Sequence, residues 1–297
     1  MISTTHSFRK MNGLGNDFAV FDVRKSHLTL GEATARRIAD RKLGVGCDQV
    51  IMIETSANAD AFMRVINADG SEVAACGNAT RCVAALLAEE LGRTETVIET
   101  RAGLLRAAMR SDGLVTVDMG RARLDWRDIP LARPFADTTS LDVNFEAGAA
   151  GVLTQPGAVN VGNPHCIFVV ADVDAYDLAA IGPRIEHDPL FPERVNVSLA
   201  EIAGPDYVKL RVWERGVGLT QACGSAACAA AVALARKGLT GRQVTIALPG
   251  GELSIQWREA DGHILMTGPW SLDYEDEFDF GDLASASIRT EAVAGVR

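Results

Sequence analysis

Two cysteines, Cys76 and Cys223, have the surroundings best suited to chemistry in this chain. Each precedes a glycine and then a run rich in Ala, Val, Leu and Cys, which predicts a helix buried on all sides. Each thiol therefore lies at a predicted helix N-terminus. Free backbone N–H groups at such a site stabilise an anion, either a bound carboxylate or the thiolate itself.

The two cysteines belong to an internal repeat. Cys223 follows Cys76 by 147 residues, and the same offset relates Gly15-Asn16 to Gly162-Asn163. The offset also relates Gln49 to Asn196, Arg64 to Arg211, Asn67 to Glu214, and Gly77-Asn78 to Gly224-Ser225. This nearly ungapped register predicts a duplicated domain with a site to which both copies contribute.

A pair of thiols related in this way suits the removal of a proton from one face of a carbon and its return on the other. One sulfur must then be thiolate while the other is thiol. Helix N-termini supply N–H groups for a substrate carboxylate that stabilises the developing carbanion. The repeat is asymmetric, because the offset of 147 makes the charged Glu214 and Arg215 equivalent to the uncharged Asn67 and Ala68. One anion and one cation on a single side suit a substrate ammonium and carboxylate.

Other roles for these cysteines fit the pattern less well. The Cys76–Cys82 and Cys223–Cys228 spacings are not Cys-x-x-Cys pairs, and no His is nearby in sequence, so no metal site is predicted. A Cys-His hydrolase using His165 needs only one nucleophile. The remaining cysteines divide into three predicted to be small buried residues and one, in the Gln49 loop, without an assigned role: Cys82, Cys166, Cys228 and Cys47.

Length and composition indicate an ordinary globular protein of about two domains, with 297 residues, 47% hydrophobic and 23% charged. A net charge of −10 argues against nucleic acid or an anionic membrane surface as the partner. No stretch approaches the roughly 20 apolar residues of a membrane span. The segment Met1 to Lys10 lacks a signal-peptide core, so the six cysteines indicate reduced thiols and a cytoplasmic location.

The remaining pattern predicts many short strands and few helices. Helices are expected near Gly31 to Lys42 and near Asp177 to Glu186, besides the two that follow the cysteines. The fold class predicted is α+β, with two pseudo-symmetric domains, each a largely antiparallel sheet wrapped around a buried central helix. We place the first domain at 1–124 plus 274–297 and the second at 125–273. The tail from Asp282 is predicted to be loosely attached.

These motifs resemble those of a known family. The segments Asn67-Ala-Asp-Gly-Ser with Ala-Cys76-Gly-Asn78-Ala-Thr-Arg-Cys, and Trp-Glu214-Arg215-Gly-Val-Gly-Leu-Thr-Gln-Ala-Cys223-Gly-Ser225, resemble the two signatures of the diaminopimelate epimerases. Four further loops are similar: Lys10-Met-Asn-Gly-Leu-Gly-Asn16-Asp-Phe, Gly-Cys-Asp-Gln49, Gly-Asn163-Pro-His165 and Glu-Arg-Val-Asn196-Val. The resemblance spans roughly Phe8 to Phe278, nearly the whole chain.

The resemblance implies cofactor-independent interconversion of L,L- and meso-diaminopimelate in lysine and peptidoglycan synthesis, with Cys76 and Cys223 as the acid/base pair. It implies that the reacting carboxylate is held by Gly77, Asn78, Gly224 and Ser225. It implies that the rest of the substrate is bound by Asn16, Gln49, Asn67, Asn163, Asn196, Glu214 and Arg215. His165 and Glu214 are expected to tune the thiols. The expected partner is the substrate diaminopimelate, and the expected assembly is a homodimer. Neither a metal nor a cofactor is expected.

Two departures from the family pattern leave the expected chemistry intact. Asn12 and Cys47 stand where the family often has His and Ala. The alternatives are an isomerase or dehydratase of the same fold, of the proline racemase or phenazine-pathway type, and a thiol-redox or metal-binding module. The former are expected to lack the context of Asn78 and Arg215, and the dehydratases one cysteine. The sequence leaves open which thiol acts as base on which isomer.

Overall fold

The computed structural model describes residues 5–26 and 28–281. Its contacts divide the chain into two compact units. The first takes in residues up to 13, 17–104 and those from 270 onward, and the second takes in 14–16 and 105–269. The tail predicted to be loosely attached, from Asp282, lies outside the described residues. Within the described part, no helix is long and apolar enough to cross a membrane.

The elements follow one another as mostly short strands with four α-helices in the described residues. The first part contains β1 (Thr5–Gly13), β2 (Asn16–Asp22), α1 (Glu32–Ala39), β3 (Gln49–Glu54), β4 (Ala61–Asn67), β5 (Glu72–Val73), α2 (Gly77–Leu91), β6 (Glu95–Thr100), β7 (Gly103–Met109) and β8 (Val115–Arg121). The next part contains β9 (Asn144–Glu146), β10 (Val152–Thr154), β11 (Gly157–Asn160), β12 (Pro164–Val170), α3 (Leu178–Glu186), β13 (Asn196–Gly204), β14 (Tyr207–Glu214), β15 (Gly218–Leu219) and α4 (Gly224–Arg236). The last strands are β16 (Gln243–Leu248), β17 (Gly251–Trp257), β18 (His263–Gly268) and β19 (Ser271–Asp279).

The first unit is a mixed sheet packed on α2. Strands β2 and β3 are parallel and joined through α1, whereas β3 and β4, and β4 and β5, are antiparallel. Strand β6 then pairs parallel with β4, after α2. Strand β1 pairs with β19 in antiparallel fashion and also packs on α2. The starts of β2 and β3 therefore lie beside the end of β4, at the same end of these strands.

The second unit repeats this plan. Strands β12 and β13 are parallel and joined through α3, β13 and β14 are antiparallel, and β16 returns parallel to β14 after α4. The hydrogen-bonding register repeats with the sequence offset of 147. Phe18 pairs with Gln49 as His165 pairs with Asn196. The predicted α+β fold with two pseudo-symmetric halves is therefore confirmed, and the duplication reaches the level of individual residue pairs.

The two central helices are buried nearly along their length. Ten of the fifteen residues of α2 and ten of the thirteen of α4 are buried. In α4 most of these are alanines, whose small side chains allow the surrounding strands to pack close to the helix. The α2 helix ends at Gly92, which adopts φ +63, a left-handed conformation that favours glycine. Each cysteine thus precedes a helix whose position is fixed by the core around it.

The structure gives the end of helix α1 and the unit to which residues 105–124 belong. Helix α1 ends at Ala39, before the predicted end, because the Asp40 side chain accepts hydrogen bonds from the Lys42 and Leu43 N–H groups and forms a turn. Residues 105–124, which we placed in the first domain, make their contacts in the second unit, where β8 pairs with β18. The proposed boundaries at 124 and 273 stay a prediction.

Candidate active site

Cys76 and Cys223 occupy the same local structure in the two units. Each is the residue before the first helical residue, with φ −141 and ψ 113 at Cys76 and φ −136 and ψ 107 at Cys223. Gly77 and Gly224 then begin α2 and α4. Neither cysteine side chain caps its helix by a hydrogen bond. Each sulfur therefore lies beside a helix N-terminus in the same backbone conformation.

Cys223 lies in an acidic, enclosed setting. Its Sγ is 3.4 Å from Ser225 Oγ, and its thiol forms a hydrogen bond with the Glu214 carboxylate. Burial raises the pKa of the Cys223 thiol well above its usual value, and the negative charge of Glu214 raises it further. At neutral pH, in the absence of a ligand, Cys223 is therefore protonated and suited to donate its proton.

Glu214 is held next to Cys223 by Thr220. The Thr220 hydroxyl donates to Glu214 Oε1 at 2.5 Å. Burial raises the pKa of the Glu214 carboxyl, and the hydrogen bonds from Thr220 and Cys223 oppose that rise. In the first unit the equivalent positions carry Asn67 and Val73, which are uncharged. The carboxylate beside Cys223 thus has no charged equivalent at Asn67.

Cys76 is half-buried, and the proposed binding residues of the same unit are mostly amides. Gln49 Nε2 donates to Asn67 Oδ1 at 2.9 Å, and Asn67 Nδ2 donates to Ser71 Oγ at 3.1 Å. The buried oxygens Gln49 Oε1 and Asn78 Oδ1 have no hydrogen-bond partner among the described residues. Because buried polar atoms are nearly always paired, these two acceptors suit a ligand that brings N–H donors.

His165 is fully buried and bonded to Asn163. Its Nε2 lies 2.8 Å from Asn163 Oδ1. Burial lowers the pKa of His165 to about 3, and the nearby positive charge of Arg215 lowers it too. The imidazole is thus neutral at pH 7 and orients Asn163. Of the two residues expected to tune the thiols, Glu214 contacts Cys223 directly, and the tuning role of both residues stays a prediction.

Asn196 uses its amide inside the protein. Its Nδ2 donates to the Pro164 carbonyl at 2.9 Å, and its Oδ1 accepts from the Arg215 N–H at 3.0 Å. The side chain is almost fully buried. Asn196 therefore joins the Asn163 loop to the Arg215 turn, a positioning role that the motif alone did not reveal. The Arg215 side chain is half-buried and donates to the Glu193 carbonyl at 2.9 Å.

The loop before Asn16 has a constrained backbone. Leu14 is buried and has φ +65, which is uncommon for a residue with a branched side chain. A Cβ at Gly250 would lie 2.3 Å from the Leu14 carbonyl oxygen, so only glycine fits there. Asn16 begins β2 directly after this loop and is half-buried. The close packing of Leu14 on Gly250, which no sequence motif signals, fixes the position from which Asn16 projects.

The other four cysteines are enclosed. Cys82, Cys166 and Cys228 are fully buried, as predicted, and Cys47 is buried as well. Burial raises the pKa of the Cys47 thiol to about 11 and that of Cys82 to about 12. Cys47, whose role the sequence left open, is therefore a protonated core residue. Within the described residues, no three His, Cys, Asp or Glu side chains are close enough together to hold a metal ion.

We expect brief alkylation of the native protein with iodoacetamide at pH 8 to label Cys76 first. Cys76 is half-buried, whereas the other five cysteines are buried. A raised thiol pKa leaves the thiol protonated, and so unreactive, at this pH. Peptide mapping by mass spectrometry over time measures the order of labelling. Early labelling of Cys47, in protein that retains its thermal unfolding midpoint, would contradict the assignment.

Comparison with known proteins identifies the family. The family profile described as "Diaminopimelate epimerase" matches residues 8–124 and 157–272. The chain belongs to the diaminopimelate epimerase family. A family member from Rhodospirillum centenum, named diaminopimelate epimerase, is 54% identical over 272 residues, covering 91% of each chain. One of the same name from Acidiphilium cryptum is 53% identical over 283 residues, covering 95% of this chain and 100% of the relative. The resemblance seen in the motifs is thus confirmed, and the chain is an isomerase of the epimerase type.

The fold is shared more widely than the family. A phenazine biosynthesis protein of the PhzF family from Bacillus anthracis has a TM-score of 0.66 at 17% identity, covering 92% of this chain and 99% of that one. A hydroxyproline epimerase from Agrobacterium vitis has a TM-score of 0.63 at 14% identity, covering 93% of each chain. At such identities the similarity shows a shared fold and nothing more. The family match therefore decides between the diaminopimelate epimerases and the other enzyme types that share this fold.

Proposed function

We propose that this protein interconverts L,L- and meso-diaminopimelate by a two-thiol acid/base mechanism. One thiolate removes the α-hydrogen as a proton, and the electron pair of the broken C–H bond remains on the α-carbon and its carboxylate. The other thiol then delivers its proton to the opposite face of that carbon. The observation that carries the proposal is the placement of Cys76 and Cys223 at repeat-equivalent helix N-termini with the same backbone conformation.

The reacting carboxylate is proposed to bind the first turns of α2 and α4. The residues after each cysteine, Gly77-Asn78 and Gly224-Ser225, present backbone N–H groups at the helix start. These groups stabilise the negative charge that grows on the carboxylate as the proton leaves. Glycine at the first helical position leaves space for close approach of the ligand. In this proposal the chain supplies the electrostatic stabilisation itself, and no cofactor enters the mechanism.

The remainder of the substrate is proposed to bind the polar residues around these helices. Gln49 and Asn78 offer buried amide oxygens that suit an ammonium donor. Arg215 offers a positive charge for the distal carboxylate, and Glu214, which lies beside Cys223, offers a negative charge for a substrate ammonium group. The other proposed contacts are Asn16, Asn67, Asn163 and Asn196, the last acting through the loops that it joins. A homodimeric assembly and a cytoplasmic location, both implied by the resemblance, belong to the same proposal.

Incubation with L,L-diaminopimelate in D₂O tests the proposal. Because thiol protons exchange with water, the epimerised product should carry deuterium at the inverted α-carbon, as measured by mass spectrometry and NMR. Cys47→Ala is the matched control and should incorporate deuterium as the wild type does, since Cys47 is a buried, protonated core residue. Product without deuterium would refute the two-thiol assignment. Absence of any epimerised product would refute the substrate.

A further inference from the structure

Glu186 is a buried carboxylate that belongs to none of the sequence motifs discussed above. It is the last residue of α3 and is 2% exposed. A carboxylate at a helix C-terminus meets the negative end of the helix dipole, and burial removes it from water. Both effects are unfavourable, so hydrogen-bond donors must compensate for them. Those donors come from a single short segment and one nearby arginine.

The two oxygens of Glu186 bind the residues on either side of the Glu214-Arg215 pair. Oε2 accepts from Trp213 Nε1 at 2.7 Å, and Oε1 accepts from the Gly216 N–H at 2.9 Å. Arg194 Nη1 lies 3.7 Å from Oε1 and adds positive charge. The Glu214-Arg215 pair is therefore held at both ends by one carboxylate.

The backbone between those two points is fixed as well. The Arg215 N–H donates to Asn196 Oδ1 at 3.0 Å. Helix α3 lies directly on the Trp213 ring, because a Cβ at Gly182 would be only 2.4 Å from Trp213 Cγ. The separation between α3 and this turn is consequently set by close packing, and Glu186 reaches the turn without freedom to move away.

In the part of the first unit that the structure describes, no carboxylate occupies the position equivalent to Glu186. The position equivalent to Glu186 is Ala39, and the turn equivalent to 214–217 is closed locally, with Asp69 Oδ1 accepting from the Ser71 N–H at 2.9 Å. The hydrogen bonds from Trp213 and Gly216 to Glu186, called the clamp below, thus occur in the unit whose turn carries Glu214 and Arg215. This distribution links the clamp to presentation of that charged pair.

We propose that Glu186 is a positioning residue that fixes the turn carrying Glu214 and Arg215, so that Arg215 is in place for the distal carboxylate of the substrate and Glu214 stays beside Cys223. The proposal rests on the function proposed above. Loss of the clamp lets the turn sample other conformations, so the charged pair meets the substrate less often in the correct geometry. KM should rise because Arg215 is less often in place for the substrate, and kcat should fall as well, because Glu214 in the same turn contacts the Cys223 thiol.

Glu186→Gln tests the proposal. The amide keeps the size of the side chain but replaces one acceptor oxygen with a donor, so either the Trp213 or the Gly216 N–H loses its partner. We expect KM for diaminopimelate to rise roughly tenfold, the effect of a turn that is in its binding-competent conformation only about a tenth of the time. We also expect faster hydrogen exchange at the Gly216 amide. Simple destabilisation would instead reduce the number of active molecules, lowering apparent kcat and leaving KM unchanged.

Two further variants make the test specific. Trp213→Phe removes the indole N–H together with part of the ring on which α3 packs, whereas Gly216 remains bonded to Glu186, so hydrogen exchange at the Gly216 amide should rise less than in Glu186→Gln. Glu201→Gln is the matched control: Glu201 accepts from the Val173 N–H at 3.2 Å and pairs with Lys209 in the same unit, without contact to the turn. It should leave KM and the Gly216 exchange rate unchanged.

The outcomes are separable. Unchanged Gly216 exchange in Glu186→Gln would overturn the clamp, whatever the substrate is. Faster exchange with an unchanged KM would overturn the positioning role. A wild-type protein that does not turn over diaminopimelate would refute the proposed function instead, and the exchange measurement would still decide whether Glu186 holds the turn.

Discussion

Replacing Cys223 with Ala should lower kcat for diaminopimelate epimerisation roughly 10²- to 10⁴-fold in both directions, the usual contribution of a positioned acid or base. The loss of one buried sulfur atom should lower the free energy of unfolding by only about 1 kcal/mol. Cys76→Ala should have a similar effect on kcat, since each thiol takes part in each direction. Steady-state rates from each isomer, together with thermal unfolding, measure both quantities.

The same two helices provide matched controls for these variants. Cys228 and Cys82 are fully buried in α4 and α2, away from the N-termini. Cys228→Ala and Cys82→Ala delete the same atom from the same helices and should retain most of kcat. If Cys223→Ala and Cys228→Ala showed equal activity, Cys223 would not be a catalytic acid. If only one of Cys76→Ala and Cys223→Ala were impaired, a single-base mechanism would follow.

Arg215→Met should raise KM for diaminopimelate by about 30-fold or more. Removing one partner of a buried, hydrogen-bonded charge pair costs about 2–5 kcal/mol, and about 1.4 kcal/mol corresponds to a factor of ten. The lower end of that range applies, because Arg215 is only half-buried. Alkylation of Cys76 should proceed at the wild-type rate, since Arg215 is proposed to bind the distal carboxylate rather than to activate a thiol.

Arg242→Met is the control for Arg215→Met. Arg242 is exposed, with its guanidinium carbon 3.9 Å from the centre of the Trp257 ring, and it belongs to the same unit. Its replacement removes the same charge from an exposed position that belongs to none of the proposed binding residues, and it should leave KM unchanged. Equal KM values for Arg215→Met and the wild type would show that Arg215 has no part in substrate binding.

The sequence was most informative where the structure depends on local pattern and on duplication. Cys-Gly before a run that is apolar on nearly every face predicts a cysteine at the start of a buried helix, because such a run is typical of a helix enclosed by the core. The offset of 147 predicted equivalent positions, and the strand registers confirm it because a shift of one residue would turn buried side chains outward. The fold class and the buried cysteines followed from the same patterns.

What the sequence did not reveal depends on contacts between distant residues. Glu186 is 27 residues before Trp213, and nothing in α3 marks it as a hydrogen-bond acceptor for that turn. The motif around Asn196 gives a residue type but does not show that its amide is used by Pro164 and Arg215. Strand β8 joins β18, from which it is separated by more than a hundred residues, so its unit was not apparent from order along the chain.

The alanines of α4 have a consequence for mutational scanning. Ala226, Ala227, Ala229 and Ala230 are completely enclosed, so a larger side chain at any of them would overpack the core at a cost of typically 1–3 kcal/mol. A scan scored only by growth or activity would therefore find the segment from Cys223 to Leu234 intolerant throughout. Its beginning would fail through chemistry and its remainder through folding. Scoring protein abundance alongside activity would separate the two causes, with low activity at normal abundance confined to the first turn.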